Sequence, residues 1–338
     1  MPEPGKGTAR EGTWFRMRLG FIGVGRRATP HIRNAHGMPD VELVGFCDLL
    51  QEAADARAAE FGGRAFTDAR RFLDEARPDA VLVTVPPFGH GEPEEACLEA
   101  GMPFLVEKPV HLDIDRARDI ARRVEAAGLV TSVGYQERYL DIVERLEQEV
   151  AARRPGLAFG YWMGGSPRGW WILKEKSGGQ AVEQTTHVFD LARHLFGPAR
   201  TVFASGISGI LPRDDGRNIE DASAATVTFA SGVVAVIASA CYLGVGQNVP
   251  AGLDVFCRDA NLRYQRRASL TLTTAAGSVT WRTRGDSEKA MLEGFLAAVR
   301  GKDPSAVRCP YAQGVEALEL SLATNRALAA GGVVELPL

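Results

Sequence analysis

The sequence has few cysteines and no long hydrophobic run. Its five cysteines are odd in number, widely spaced and form no C-x-x-C pair: Cys47, Cys97, Cys241, Cys257 and Cys309. Such spacing indicates neither a disulfide framework nor a zinc knuckle. No apolar stretch approaches the roughly 20 residues that a membrane-spanning helix requires. We therefore expect reduced thiols, a cytoplasmic location and no membrane partner.

A strong excess of either charge is also missing. The 39 Lys and Arg residues are nearly balanced by 42 Asp and Glu residues, which leaves a net charge of −3. The basic residues are scattered among acidic ones, so a nucleic-acid backbone would meet no general electrostatic attraction. We predict no nucleic-acid partner.

The length of 338 residues and the hydrophobic content of 45% predict two globular domains rather than one. Residues 1–16 are rich in glycine, proline and charge and lack the apolar core of a signal peptide. We expect these residues to form a flexible extension before the first strand.

The first half of the chain alternates short apolar runs with amphipathic segments, which is typical of repeated βα units and a parallel sheet. Helices are predicted over 51–61, closed by Gly62, and over 114–127, between Asp113 as N-cap and Gly128. Strands are predicted over 19–22, 41–47, 80–85, 104–106 and 129–133. This pattern predicts a parallel α/β domain over residues 17–136.

The pattern changes after residue 157, and residues 137–338 are expected to form a second domain. A strand to residue 163 is followed by a segment rich in Gly, Trp and Lys and by one predicted helix over 181–196. Strands over 224–229, 233–237 and 253–257, bounded by Gly, Ser and Asp, predict a mostly antiparallel open sheet. Helices are predicted over 288–300 and 315–329, and the last could pack back on the first domain.

The segment Gly23-Val24-Gly25-Arg26-Arg27-Ala28 follows a strand and opens a helix, as the G-x-G-x-x-G/A dinucleotide-binding fingerprint requires. Gly23 permits the tight turn, and Gly25 leaves room for a pyrophosphate beside the backbone. Ala28 lets helix and strand approach closely. The alternative is a glycine-rich turn without a ligand.

Asp48 ends the second predicted strand, at the distance from the glycine segment where dinucleotide-binding domains place an acidic residue. Its carboxylate can accept both ribose hydroxyls and would repel a 2′-phosphate, so NAD is favoured over NADP. Alternatively, Asp48 caps the helix that follows. Arg26 and Arg27 keep NADP possible, because a guanidinium can hold the additional phosphate.

Further along the chain, several motifs together resemble the Gfo/Idh/MocA oxidoreductases, the glucose-fructose oxidoreductase and inositol dehydrogenase family. The resemblance extends from residue 18 to the C-terminus. Its motifs are Thr84-Val85-Pro86-Pro87 with His90, Glu107-Lys108-Pro109, the segment Val-Gly-Tyr-Gln-Glu-Arg-Tyr over 133–139, Gly178-Gly179, and His187-x-x-Asp190.

The resemblance implies a Rossmann domain followed by an α/β domain, with sugar-like substrates at the junction. It also implies a homodimer or homotetramer formed through the open C-terminal sheet. By position, Pro86, His90 and Glu107 are expected on the cofactor side of the site.

The resemblance assigns catalytic roles to three side chains. Lys108 resembles the family's catalytic lysine, whose ammonium can hydrogen-bond the reacting oxygen. His187 resembles the substrate-facing histidine, and an imidazole suits proton exchange near neutral pH. Glu183 lies four residues before His187, where the family usually has Asp, so the two can share a helix face. Without the resemblance, Lys108 would be assigned to the solvent, His187 to the core and Glu183 to the helix start.

Aromatic planes with nearby donors suit a sugar-like ring. We expect Trp171, Lys174 and Gln136 to contact the substrate, while Tyr161, Trp162 and Trp170 serve as packing. The remaining histidines are interpreted as surface or capping residues, namely His31, His36, His111 and His194. No spacing of His, Cys, Asp and Glu indicates a metal site.

These observations predict an NAD(P)-dependent dehydrogenase or reductase that acts on a secondary hydroxyl or ketone of a sugar, polyol or sugar derivative. One alternative is a redox-assisted lyase or glycosidase that keeps NAD bound and recycles it. Another is a non-catalytic dinucleotide-binding sensor.

Overall fold

A computed structural model describes residues 16–247, 249–301 and 304–338. The flexible extension expected over residues 1–16 therefore lies outside the described residues except for Arg16. The guanidinium of Arg16 donates to the carbonyl of Val41 at 2.7 Å.

The first sheet has six parallel strands in the order β3-β2-β1-β4-β5-β6, which is the order of a doubly wound dinucleotide-binding fold. The strand order reverses between β1 and β4, and ligands bind in the crevice at that point. The strands are β1 (Met17–Ile22), β2 (Val41–Cys47), β3 (Arg64–Phe66), β4 (Ala80–Val83), β5 (Phe104–Val106) and β6 (Thr131–Val133). The expected Rossmann domain is confirmed.

Helices cover both faces of this sheet. Their ends follow local signals: the Asp113 side chain accepts from the N–H groups of Asp115 and Arg116 and so caps the fifth helix. The helices are α1 (Ala28–His36), α2 (Gln51–Phe61), α3 (Ala69–Ala76), α4 (Glu92–Glu99) and α5 (Ile114–Ala126), and α6 (Asp141–Ala151) leads into the second domain.

The second sheet has nine strands in the order β14-β13-β12-β11-β7-β10-β9-β8-β15. Neighbouring strands are antiparallel in the described part of this sheet, except the parallel pair β7 and β10. The strands are β7 (Pro155–Met163), β8 (Ala199–Ile207), β9 (Ala222–Phe229), β10 (Val234–Ala240), β11 (Val249–Cys257), β12 (Ala260–Gln265), β13 (Ser269–Thr274), β14 (Gly277–Arg282) and β15 (Val333–Glu335). The expected mostly antiparallel sheet is confirmed.

The single helix expected over 181–196 is wrong. The region is divided between two helices, α8 (Gln180–Glu183) and α9 (Thr186–Phe196), and a short helix, α7 (Lys174–Ser177), precedes them. The chain breaks at Gln184 and Thr185, where successive threonines lower the helix propensity. Glu183 and His187 therefore lie on different helices.

Two C-terminal helices, α10 (Ser287–Gly301) and α11 (Tyr311–Ala330), pack on the first domain. Met291, Leu292 and Phe295 of α10 join the core formed by β1, β2 and α1. On the other side of the sheet, α11 contacts α5, and Arg118 forms an ion pair with Glu319. Among the helices that the structure describes, none is both long and apolar enough to cross a membrane.

Candidate active site

A cavity of about 430 Å³ lies between the two domains, at the carboxyl ends of β1, β4 and β5. It occupies the point where the strand order reverses, as expected for a ligand site in this fold. Its walls include Gly25, Arg27, Pro86, Glu107 and Lys108 from the first domain and Trp171, Glu183, His187, Arg266 and Glu288 from the second.

The glycine segment forms one end of the cavity. Gly23 has φ +80°, and a Cβ at this position would lie 2.8 Å from atoms of Val85, so only glycine fits. At Gly25 a Cβ would meet no atom within 4 Å. This open space beside the backbone is a cradle that any side chain would fill. Its shape fits the pyrophosphate of a dinucleotide.

Asp48 organises the same segment. One carboxylate oxygen accepts from the N–H of Val24 at 2.9 Å, and the other accepts from the N–H of Leu50 at 3.0 Å. Each oxygen can accept a further hydrogen bond, so a ribose hydroxyl also fits. Leu49 and Leu50 follow with 92% and 69% of their surface exposed. The sequence analysis did not predict this apolar surface beside Asp48, although the two leucines that follow Asp48 in the sequence indicate it.

Glu107 is buried and engaged within the protein. Its Oε1 accepts from Nε of Arg27 at 2.9 Å and contacts Nε2 of His31 at 2.8 Å, and its Oε2 accepts from the N–H of Lys108 at 3.3 Å. Burial raises the pKa of Glu107, but Arg27 and His31 outweigh it and hold that pKa well below its usual range. Glu107 therefore ties α1 to the turn that carries Lys108.

His31 differs from expectation, and the expected place of His90 on the cofactor side stays a prediction. His31 is fully buried and contacts Glu107, so its assignment to the surface is wrong. Pro86 lines the cavity, but His90 is not among its lining residues. The Nδ1 atom of His90 lies 2.6 Å from Oε1 of Glu94, a contact that shapes the start of α4. Its placement beside the cofactor was inferred from the motif, which does not report this competing partner.

The other three histidines have local contacts. His111 accepts from the N–H of Asp113 at 2.8 Å, His194 contacts Glu147 at 2.8 Å, and the ring of His36 packs against Phe61. Among the residues that the structure describes, no group of three or more His, Cys, Asp or Glu side chains is placed to hold a metal ion.

Lys108 binds the end of α8. Its Nζ donates to the carbonyl of Glu183 at 2.7 Å and to Oε1 of Glu183 at 3.0 Å. In a continuous helix that carbonyl would accept from the N–H of residue 187. At the helix break, Lys108 therefore donates to a carbonyl that would otherwise accept a hydrogen bond within the helix. Burial raises the pKa of Glu183, and Lys108 counteracts this only in part.

His187 stacks on Trp162, with ring centroids 5.7 Å apart and planes inclined by 25°, and meets the edge of Tyr135 at 5.8 Å. Burial and the positive charges of Arg266 and Lys108 hold the pKa of His187 well below its usual range. The imidazole is therefore neutral at neutral pH. No hydrogen bond joins Glu183 to His187 in the described structure, so the expected sharing of a helix face is wrong.

Among the polar atoms of the cavity wall that are buried without a hydrogen-bond partner are Oε2 of Glu183, Nδ1 of His187 and Nε1 of Trp171. Buried polar atoms in folded proteins almost always have partners. A hydroxyl-rich ligand would supply both donors and acceptors to such a set.

The three residues expected to contact the substrate separate into two groups. Trp171 and Gln136 line the cavity. Lys174 does not, because Glu220 binds its ammonium and Asn218 accepts from its backbone N–H at 2.6 Å. The substrate contact expected of Lys174 stays a prediction, and its pairing with Glu220 is a contact that the sequence does not reveal.

Sequence reasoning missed four lining residues: Trp170, Arg266, Arg267 and Glu288. Arg266 and Arg267 occupy the turn between β12 and β13, and Glu288 begins α10. Arg267 has φ +53°, which is rare for a residue other than glycine. No local pattern marks these residues, because only the fold brings them to the cavity.

Two family descriptions match the chain. Residues 17–135 match the oxidoreductase family with an NAD-binding Rossmann fold. Residues 156–263 match the GFO/IDH/MocA C-terminal domain.

Curated relatives include two inositol dehydrogenases. The scyllo-inositol 2-dehydrogenase (NAD(+)) of Bacillus subtilis is 28% identical over 202 residues, which cover 58% of this chain and 58% of that protein. The myo-inositol 2-dehydrogenase of Thermotoga maritima is 26% identical over 227 residues, which cover 65% of this chain and 67% of that protein. The match to the Bacillus enzyme thus spans less than two thirds of its length.

Solved structures share the whole fold. Levoglucosan dehydrogenase in complex with NADH and levoglucosan has a TM-score of 0.84 at 20% identity and covers 96% of this chain and 100% of that one. UDP-N-acetylglucosamine 3-dehydrogenase from Acidithiobacillus ferrooxidans has a TM-score of 0.81 at 23% identity and covers 93% of this chain and 98% of that one. From the two matching domains we conclude that the chain belongs to the GFO/IDH/MocA oxidoreductase family and that its first domain is an NAD-binding Rossmann fold.

Proposed function

We propose that the protein is an NAD-dependent dehydrogenase or reductase that acts on a secondary hydroxyl or ketone of a sugar, polyol or sugar derivative. The observation that carries this proposal is the meeting of Lys108, Glu183 and His187 with the glycine segment in one cavity. The dehydrogenases of inositols and levoglucosan among its relatives support the same substrate class.

When bound, the dinucleotide accepts or donates a hydride at its nicotinamide ring. The ammonium of Lys108 hydrogen-bonds the reacting oxygen and stabilises the charge that develops there. In the oxidation direction, neutral His187 accepts the hydroxyl proton while the hydride leaves the same carbon, which becomes a carbonyl. Burial shifts the pKa of Glu183 upward and that of His187 downward. Both shifts favour the uncharged form of each group, so the imidazole is free to accept a proton.

Asp48 supports a preference for NAD over NADP. Its carboxylate, already held by the N–H groups of Val24 and Leu50, would receive the ribose hydroxyls and repel a 2′-phosphate. The exposed side chains of Leu49 and Leu50 offer an apolar surface to the adenine ring. Arg26 and Arg27 lie at the same end, but Arg27 is bound to Glu107 and Glu288.

We assign cofactor binding to residues 17–136 and substrate binding and assembly to residues 137–338. One face of the second sheet exposes large apolar side chains, among them Leu157, Phe159 and Phe203. Such a surface supports a homodimer or homotetramer formed through this sheet. The near-neutral charge and unpaired cysteines support a cytoplasmic protein with a small-molecule partner and without a nucleic-acid or membrane partner.

The test is a panel of inositols, aldoses, glucosides and keto-sugars, each with NAD(H) and NADP(H), followed by the absorbance of the reduced nicotinamide. A dehydrogenase changes this absorbance in proportion to product. Product without net reduced nicotinamide would instead establish a lyase or glycosidase that recycles the cofactor. Dinucleotide binding without product across the panel would establish a sensor.

A further inference from the structure

The environment of His187 contains an arrangement that no motif includes. The guanidinium carbon of Arg266 lies 4.4 Å from the centroid of the Trp162 ring, and the same ring stacks on His187 at 5.7 Å. An arginine over an indole gains a cation–π attraction, largest where water is partly excluded. Only 21% of the Arg266 side chain is exposed.

Hydrogen bonds to Glu137 and Ala251 fix the position of Arg266. Its Nε donates to Oε1 of Glu137, and the hydroxyl of Tyr264 donates to Oε2 of Glu137 at 3.1 Å. Only 7% of the Glu137 side chain is exposed. The backbone N–H of Arg266 donates to the carbonyl of Ala251 at 2.8 Å. Arg266 is therefore fixed both at its backbone N–H and at its guanidinium.

We propose that Arg266 is a positioning residue for His187: anchored by Glu137, it holds the Trp162 ring against the imidazole and keeps a positive charge beside it. This inference deepens the proposed function, because it assigns to the second domain the task of keeping the base of the reaction unprotonated.

The sign of the effect follows from the charges around His187. A cation close to an imidazole disfavours the imidazolium form and lowers its pKa, as does burial. Burial lowers the pKa of His187 most, followed by the charges of Arg266, Lys108 and Arg267, while the charge of Glu107 raises it. Glu183 lines the same cavity and Tyr135 meets the imidazole at its edge, and both are buried. Arg266 is thus the cation with the largest influence on His187.

The test uses the full chain without cofactor or substrate, so it does not depend on turnover. The histidine signals are titrated by NMR, and the His187 signal is assigned by its loss in His187→Gln. We expect Arg266→Met and Arg266→Gln each to raise the His187 midpoint by about one pH unit. Arg266→Lys keeps the charge and should leave the midpoint near that of the unmodified protein. Arg263→Met, on the adjoining strand β12 but exposed and paired with Asp254, is the matched control.

If the two neutral variants titrate like the unmodified protein, Arg266 has no electrostatic role at His187. If Arg266→Lys shifts the midpoint as much as they do, the effect is structural and the charge is irrelevant. Either outcome overturns the proposal. Should a dehydrogenase activity be found, the acidic limb of its kcat/KM profile should move to higher pH in the neutral variants. Absence of any activity would contradict the proposed function while leaving the NMR result to decide on Arg266.

Discussion

Replacing Lys108 with methionine removes an ammonium that binds both the carbonyl and the carboxylate of Glu183, at 2.7 and 3.0 Å. Both side chains are only 11% exposed. Breaking one partner of a buried ion pair typically costs about 3–5 kcal/mol of unfolding free energy. Glu183 limits this loss, because its pKa is already raised by burial and rises further without Lys108, so it takes up a proton. We expect a loss of about 2–3 kcal/mol.

The effect on catalysis should be much larger than the effect on stability. Lys108→Met should lower kcat by about 10²–10³-fold, the usual loss when a hydrogen-bond donor to a developing oxyanion is removed. The affinity for the dinucleotide should change only a few-fold, since the glycine segment holds the phosphates. Denaturant midpoints, steady-state kinetics and calorimetry with NAD measure the three quantities separately.

A double variant separates the two roles of Lys108. Lys108→Met combined with Glu183→Gln removes the unpaired carboxylate and should recover about half of the lost stability. It should recover none of the lost kcat. Near-normal turnover in Lys108→Met would refute a role for this lysine in the reaction, and an unchanged stability would refute the buried pair.

Three other predictions follow from the same geometry. Gly25→Ala should keep the stability of the unmodified protein but weaken NAD binding at least about tenfold, because its Cβ enters the open space beside the loop that the pyrophosphate would occupy. Gly23→Ala should instead lose about 1–3 kcal/mol of stability, because of its positive φ and its clash with Val85. Calorimetry with NAD and denaturation distinguish the two variants, and equal behaviour would contradict the cradle at Gly25. Asp48→Ser should narrow the difference between NAD and NADP affinity, and tighter binding of NADP by the unmodified protein would contradict the role of this carboxylate. The pKa of His187 lies well below the ordinary value, so its neutral form persists as the pH falls. We therefore expect kcat/KM not to decline through the ordinary imidazole titration at about pH 6.5. A decline centred there would show that His187 titrates normally.

Several site residues could be predicted from sequence because their signals are local. Gly23 and Gly25 lie in one strand–turn–helix unit, and Asp48 directly follows the next strand. The backbone alone places such residues at the carboxyl edge of a parallel sheet. Lys108 also follows a buried strand directly, so its position near the crevice depended on few assumptions.

Other features depend on partners that are distant in the chain. The break between α8 and α9 is stabilised by Lys108, which lies 75 residues before the carbonyl it binds. His31 is buried because Glu107, 76 residues later, meets it. Helical periodicity and residue type carry no information about such contacts. Arg266 and Glu288 reach the cavity only after both domains have folded and packed together.

The central claim is that a hydride passes between a sugar or polyol carbon and bound NAD under the control of Lys108, Glu183 and His187. The most direct measurement uses the best substrate of the panel with deuterium on the reacting carbon and detects the label by mass spectrometry. We predict that deuterium appears in the reduced nicotinamide ring in the unmodified protein and that its transfer falls by about 10²–10³-fold in Lys108→Met. Product formed while the nicotinamide remains unlabelled, or labelling at an unchanged rate in Lys108→Met, would contradict the account.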